Sequence, residues 1–189
     1  MYWYVLFVRT GQEYKVEQFI KKQRFTDAFI PFIPLHEKIY KISGVVKKEL
    51  SLLFPSYVFI ESELSSQEFI KRISSLMYIS RDIVRILKYS ESDIAIRESE
   101  KKSLLSLCND EHCIESSIGI MQGDRVQITD GPLKGRENIV KKMDRHKRQA
   151  WIEMEIMRET HLISVALEIV QKINVTVDNL KPKDILSKV

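Results

Sequence analysis

The stretch Leu53-Phe54-Pro55-Ser56-Tyr57-Val58-Phe59-Ile60 limits the possible folds more than any other. Seven of its eight residues are apolar, aromatic or proline and none is charged, whereas Val46-Lys47-Lys48-Glu49 lies before it and Glu61-Ser62-Glu63 after it. So short a run, β-branched and aromatic, reads as a buried strand rather than a helix. Proline fits only at the first residue of a strand or on an edge, so the strand proper covers 56–61. Alternation then sends Tyr57 and Phe59 to one face and Val58 and Ile60 to the other. If the aliphatic face packs on helices, the aromatic face is left either as a second core layer or as a docking surface.

The rest of the chain supplies the context. Its 189 residues, 44% hydrophobic and 30% charged, suit one ordinary domain or two small ones and argue against disorder. Before the central strand, 2–8 reads as a first strand, Arg9-Thr10-Gly11-Gln12 as a turn and 13–24 as an amphipathic helix. The two prolines in Phe29-Ile30-Pro31-Phe32-Ile33-Pro34 force extended chain, and Ser43-Gly44 divides 37–52 into a hairpin. After it, Ser65 and Glu68 form a capping-box pattern, starting a helix with Phe69, Ile70, Ile73, Leu76 and Met77 on one stripe. A short strand follows at 83–87. The order β-α-β-β-β-α-β makes an α+β sandwich of helices on a mostly antiparallel sheet over 1–90.

Segment 91–117 is more acidic and reads as a helix plus linker. From 118 to 172 short strands alternate with turns, the pattern of a small β-barrel, and 173–189 reads as a loose tail. The net charge of +4 permits a nucleic-acid partner without requiring one. No apolar run is long enough to span a bilayer, and the N-terminus has no basic segment or cleavage site, so the expected setting is the cytoplasm, with no membrane partner.

Little in the sequence points to catalysis. His36, His112, His146 and His161 are scattered, and no phosphate-binding glycine fingerprint occurs. Cys108 and Cys113, beside His112, fall short of the ligand set of a zinc site and read as reduced thiols. The expectation is a chain that is not an enzyme, binds no metal and carries no cofactor. The most specific stretch is Gly123-Asp124-Arg125-Val126-Gln127-Ile128-Thr129-Asp130-Gly131-Pro132-Leu133-Lys134-Gly135: a strand entered by Gly-Asp and left by a tight Asp-Gly-Pro turn. It matches the KOW motif of ribosomal proteins and elongation factors.

From residue 2 to about 172 the chain resembles the NusG family of transcription elongation factors. The likeness rests on Trp3-Tyr4-Val5, Gly11, Phe54-Pro55 with Tyr57-Val58-Phe59, and the KOW stretch, in that order. In Leu53-Phe54-Pro55-Ser56-Tyr57 and Arg9-Thr10-Gly11 it comes nearer to specialised paralogues, above all those of the LoaP type, with the RfaH type more distant. The resemblance implies an NGN-type domain over 1–90, a linker and a C-terminal SH3-like KOW barrel. It implies that the NGN domain docks on the clamp helices of the RNA polymerase β′ subunit through an apolar patch, here Phe7, Phe54, Tyr57 and Phe59. Docking would favour the closed, unpaused polymerase. In the family the KOW domain meets the termination factor Rho or a small-subunit ribosomal protein through an aromatic loop residue, where this chain has Met157-Arg158-Glu159.

A second departure is basic. Lys141-Lys142-Met143-Asp144-Arg145-His146-Lys147-Arg148 holds five formal cations and one acid across a strand end and a hairpin tip. Cations fanned out at such a tip can reach phosphates and base edges of RNA, with salt-sensitive binding. Lys134 and Arg136, with Lys21, Lys22 and Arg24, are weaker members of the same surface, and Trp151 reads as core. Together these features describe a monomeric, operon-specific elongation and antitermination factor recruited by a leader-RNA hairpin. The alternative is a KOW-type RNA-binding protein of ribosome assembly without polymerase contact.

Overall fold

The alternation around Tyr57–Ile60 organises the first half of the molecule. The structure, a computed structural model, describes residues 1–23, 28–123 and 125–173. Arg24, Asp124 and the tail after Ile173 lie outside the described residues. Four antiparallel strands, β1 (Tyr2–Val8), β2 (Ile30–Phe32), β5 (Tyr57–Ser62) and β6 (Ile83–Ile86), form a sheet in the order β2-β5-β1-β6. Pro31 is accommodated because β2 is an edge. Tyr4, Leu6, Val8, Val58 and Ile60 face two helices, α1 (Glu13–Lys21) and α2 (Ser66–Ile79), and pack against Val16, Ile20, Phe69, Ile73 and Leu76. The capping box at the start of α2 is present: the Ser65 side chain accepts from the Glu68 N–H, and the Glu68 carboxylate accepts from the Ser65 N–H. The other face of the sheet carries Trp3, Val5, Phe32, Tyr57 and Phe59.

The extended run 28–43 splits into two elements, because Ile33-Pro34 turns the chain out of the first sheet. β3 (Leu35–Ile42) and β4 (Val45–Leu52) form a hairpin, joined through Ser43 and Gly44 at φ 50° and 85°. Positive φ at both turn residues is what a two-residue turn needs to match strand twist. The linker is woven onto this unit. After α3 (Glu98–Leu105), β7 (Cys113–Ile114) runs parallel to β3, while the Ile96 N–H donates to the Trp3 carbonyl at 2.8 Å.

The C-terminal unit is one five-stranded sheet in the order β10-β11-β12-β8-β9. Its strands are β8 (Ser117–Gln122), β9 (Arg125–Asp130), β10 (Val140–Asp144), β11 (Gln149–Ile156) and β12 (Glu159–Ile173). Two sequence expectations need correction here. The uniformly short strands expected between 118 and 172 give way at the end to one long strand, β12: Ala166 still pairs with Gln149 of β11, and Leu167 already pairs with Ser117 of β8. The expected barrel is not closed, since no ladder joins β9 to β10. The Glu137 carboxylate accepts the Ile128 N–H at 3.1 Å, taking a donor that a closing strand would need. The Asp-Gly-Pro turn packs tightly on the start of β8. Gly131 sits at φ +89°, and a β-carbon there would meet the Ser116 carbonyl oxygen and the Ser117 Cα at 2.6 Å. Only glycine fits.

Candidate functional site

Two motif stretches meet at the end of β1 and the start of β5. The Tyr57 N–H donates to the Phe54 carbonyl at 3.2 Å, closing a turn in which Pro55 leads and Ser56 takes φ 69°. Left-handed backbone at a non-glycine residue is uncommon and needs support from its surroundings. Glu13, 1% exposed, supplies it: its carboxylate accepts the Ser56 N–H at 2.7 Å. The Thr10 and Ser56 hydroxyls hydrogen-bond at 2.8 Å, and the Val8 N–H donates to the Ser56 carbonyl. Thus Arg9-Thr10-Gly11 and Phe54-Pro55-Ser56-Tyr57 are one construction. The sequence shows Glu13 only as a helix-start acid, and its role as a buried anchor depends on a residue 43 positions away.

This construction sets four aromatic side chains side by side. Phe7 and Tyr57 are cross-strand partners with ring centroids 6.0 Å apart; Phe54 lies 6.2 Å from Tyr57 and 5.7 Å from Phe59. The Arg85 guanidinium stands 5.2 Å over the Phe7 ring. The four residues expected to form a docking patch are therefore brought together, but not as a free surface. Phe54 (3%), Tyr57 (6%) and Phe59 (0%) are buried, and only Phe7 is half-exposed. Val58 and Ile60 lie in the helix-facing core, as alternation requires.

The cover is the C-terminal sheet. His161 of β12 packs edge-on to Phe54 at 5.2 Å and to Tyr57 at 5.6 Å. Met154, Ile156, Met157 and Ile163 join the same apolar cluster, with Leu104 and Leu107 from the linker. The Tyr57 hydroxyl donates to the Glu159 carboxylate at 2.9 Å. Burial, followed by that carboxylate, pushes the phenol pKa up to about 12, so Tyr57 stays a donor at neutral pH. Burial also lowers the His161 pKa, against the opposing pull of Glu159, and its Nε2 finds no hydrogen-bond partner among the described residues. The Arg158 guanidinium lies 5.4 Å over the Tyr89 ring. Met157-Arg158-Glu159, where the sequence departs from the family's aromatic loop, is thus the turn that clasps the first unit, with Met157 and Arg158 both at positive φ.

The basic residues divide into separate groups. Lys141 and Lys142 lie on β10, and Arg145, His146, Lys147 and Arg148 lie on the turn to β11. Lys141 pairs with Glu153 at 3.1 Å, Arg148 with Glu168 at 3.2 Å, and Arg145 donates to the Met121 sulfur at 2.9 Å. Lys142 sits 5.4 Å over Trp151, which is half-buried rather than core. His146 and Lys147 are exposed. Lys134 and Arg136, the weaker members of the expected basic surface, lie on the other side of β10 in the chain. Arg136 is drawn to the linker by donating to Ser106 at 2.6 Å. Lys21 and Lys22 end α1, and Lys21 is paired with Glu17 at 2.7 Å.

Among the described residues no three His, Cys, Asp or Glu side chains gather as a metal site. His112 stacks on Phe32 at 4.0 Å, and burial raises both thiol pKa values, that of Cys108 to about 12.

Comparison with known proteins gives this arrangement a relative. Over 182 residues the chain is 21% identical to the transcription termination/antitermination protein NusG of Haemophilus influenzae, covering 91% of this chain and 94% of that protein. The Pasteurella multocida protein of the same name is also 21% identical, over 91% and 95% of the two chains. That of Helicobacter pylori is 25% identical over 92% and 99%. The family described as transcription termination factor NusG matches residues 1–105, a span that holds the four-stranded sheet, the Ser56 turn and the aromatic cluster, and the chain belongs to that family.

Proposed function

We propose that this chain is a non-enzymatic, operon-specific transcription elongation and antitermination factor, a specialised paralogue of the LoaP type acting in the cytoplasm. Its dock for the β′ clamp helices of RNA polymerase is the face of Phe7, Phe54, Tyr57 and Phe59. Its basic turn around Arg145, His146 and Lys147 takes a hairpin of the nascent leader RNA. The observation that carries the reading is the convergence of both family motifs on one aromatic cluster, held by Glu13 and Ser56. That cluster lies under the C-terminal sheet in the free chain. Docking in this reading therefore requires the sheet to leave, and the turn Met157-Arg158-Glu159 is the clasp that must open.

The test is co-purification of the full chain with core RNA polymerase, with and without nuclease. The wild type is expected to be retained in both conditions, and Phe54→Ala with Tyr57→Ala to be lost in both. Retention of the double variant would place the dock elsewhere. Loss of the wild-type signal on nuclease treatment would favour an RNA-binding protein of ribosome assembly that has no polymerase contact of its own.

A further inference from the structure

The hairpin of the first unit lies outside both the aromatic cluster and the basic turn. β3 pairs with β4 along one side, but on its other side it pairs with β7 only at Leu35 and His36. Beyond His36 that edge has no ladder partner; β12 packs against β3, and a cleft of ≈ 360 Å³ lies between the β3 lysines and the basic turn of the C-terminal unit. Lys38, Tyr40 and Lys41 line one wall, and His146, Lys147 and Arg148 line the other. No carboxylate lines it. Among the described residues Lys38, Lys41 and Lys147 form no ion pair, whereas Arg148 is held by Glu168. The nearby carboxylates offset part of this charge: Asp144 interacts with Lys147 and His146, and Glu49 stands directly opposite Lys38 on β4. Glu37 takes Lys48, and Asp144 accepts the backbone N–H of Lys147.

Cations facing one another across a cleft repel, and walls of low polarizability focus their field outward. An edge strand gains from lysines that deter pairing with another chain. That purpose does not account for their standing opposite a second basic element. The two rows are spread along opposite walls rather than converging on a point, which suits a line of phosphates better than one small anion. Tyr40 adds a ring and a hydroxyl on the same strand face as Lys38, while Lys41 reaches the cleft from the other face. An RNA stem recognised by shape offers such a line, since its backbone and 2′-hydroxyls are what side chains can reach.

We infer that the free edge of β3, through Lys38, Tyr40 and Lys41, is the second wall of a groove for the phosphate backbone of an RNA stem, the basic turn being the first. This rests on the reading of that turn as an RNA contact. Both walls are in place only while the sheet covers the aromatic cluster, so the two-walled groove belongs to the free chain, and once polymerase displaces the sheet the RNA is held by the basic turn alone.

The test is fluorescence anisotropy of a fluorescein-labelled stem-loop RNA with the full chain, from about 0.05 to about 0.2 M salt. Lys38→Ala with Lys41→Ala is expected to weaken binding roughly tenfold and lower the salt slope by about one to two. Arg145→Ala with Lys147→Ala should do the same. Lys38→Arg with Lys41→Arg keeps the charge and should bind as the wild type. If the turn pair weakens binding and the β3 pair does not, the turn acts alone and the groove is refuted while the RNA reading stands. If neither pair matters, both fall. Equal affinity for a DNA duplex of the stem sequence would refute an RNA-shaped groove.

Discussion

Removing the Glu159 carboxylate should tighten binding to RNA polymerase, although Glu159 is not part of the proposed dock. Its Oε2 accepts from the Tyr57 hydroxyl at 2.9 Å, and Tyr57 is 6% exposed in the covered state. A hydrogen bond to a charged acceptor contributes about 1.5–3 kcal/mol, and a buried donor left without a partner costs about as much. Glu159 itself is exposed, so water screens its share, and about 1 kcal/mol is the reasonable figure. When the sheet leaves, the phenol is hydrated and loses nothing. Glu159→Ala therefore weakens covering by about 1 kcal/mol and raises the uncovered fraction roughly fivefold. Apparent affinity scales with the competent fraction, so the dissociation constant for core polymerase should fall by roughly the same factor. Titration of labelled polymerase reads it directly. Glu155→Ala, on an exposed side chain of β11 that contacts nothing in the first unit, is the control and should change nothing. Unchanged or weaker binding by Glu159→Ala would refute competition between sheet and polymerase for one face.

Three further outcomes follow from the geometry. Gly131→Ala puts a β-carbon 2.6 Å from backbone atoms at a left-handed φ and should destabilise the C-terminal unit by about 2–4 kcal/mol, read by thermal unfolding. Glu13→Ala strands the buried Ser56 N–H and should cost about 1–3 kcal/mol in denaturant unfolding, with Glu13→Gln milder because it keeps an acceptor. His161 is held neutral by burial, so the covered state has its full strength above the ordinary histidine pKa of 6.5 and weakens as pH falls through it toward the lowered value. Fluorine NMR of a fluorophenylalanine-labelled chain should show the Phe54 signal moving between about pH 7 and about pH 5, and His161→Gln should abolish the movement.

How much of this could be read in the sequence depends on how far apart the partners lie. The alternation at Tyr57–Ile60 correctly sorts the strand's two faces, because period two is a local property. It also poses the right question about the aromatic face, but cannot answer it: the partner of Tyr57 is Glu159, 102 residues on. Burial of a second face looks the same in sequence whether the cover belongs to the chain or to another protein. In the basic stretch, adjacency in sequence does not report neighbours in space. Lys134, Arg136 and the Arg145 turn are near in sequence, yet β10 holds them at opposite ends, while Lys38 and Lys41, more than 100 positions away, stand opposite Lys147. The open barrel is not legible in the sequence either, because strand patterning shows which segments are extended but not whether β9 and β10 pair.

In the proposed mechanism one aromatic face serves both the free chain's own sheet and RNA polymerase. The most direct measurement is the alkylation rate of a thiol at position 161. In His161→Cys that thiol lies against Phe54 and Tyr57, and peptide mapping separates it from Cys108 and Cys113. Alkylation should be slow in the free chain and should speed up with polymerase occupancy as β12 is displaced. A rate that stays slow while polymerase is demonstrably bound would contradict that mechanism.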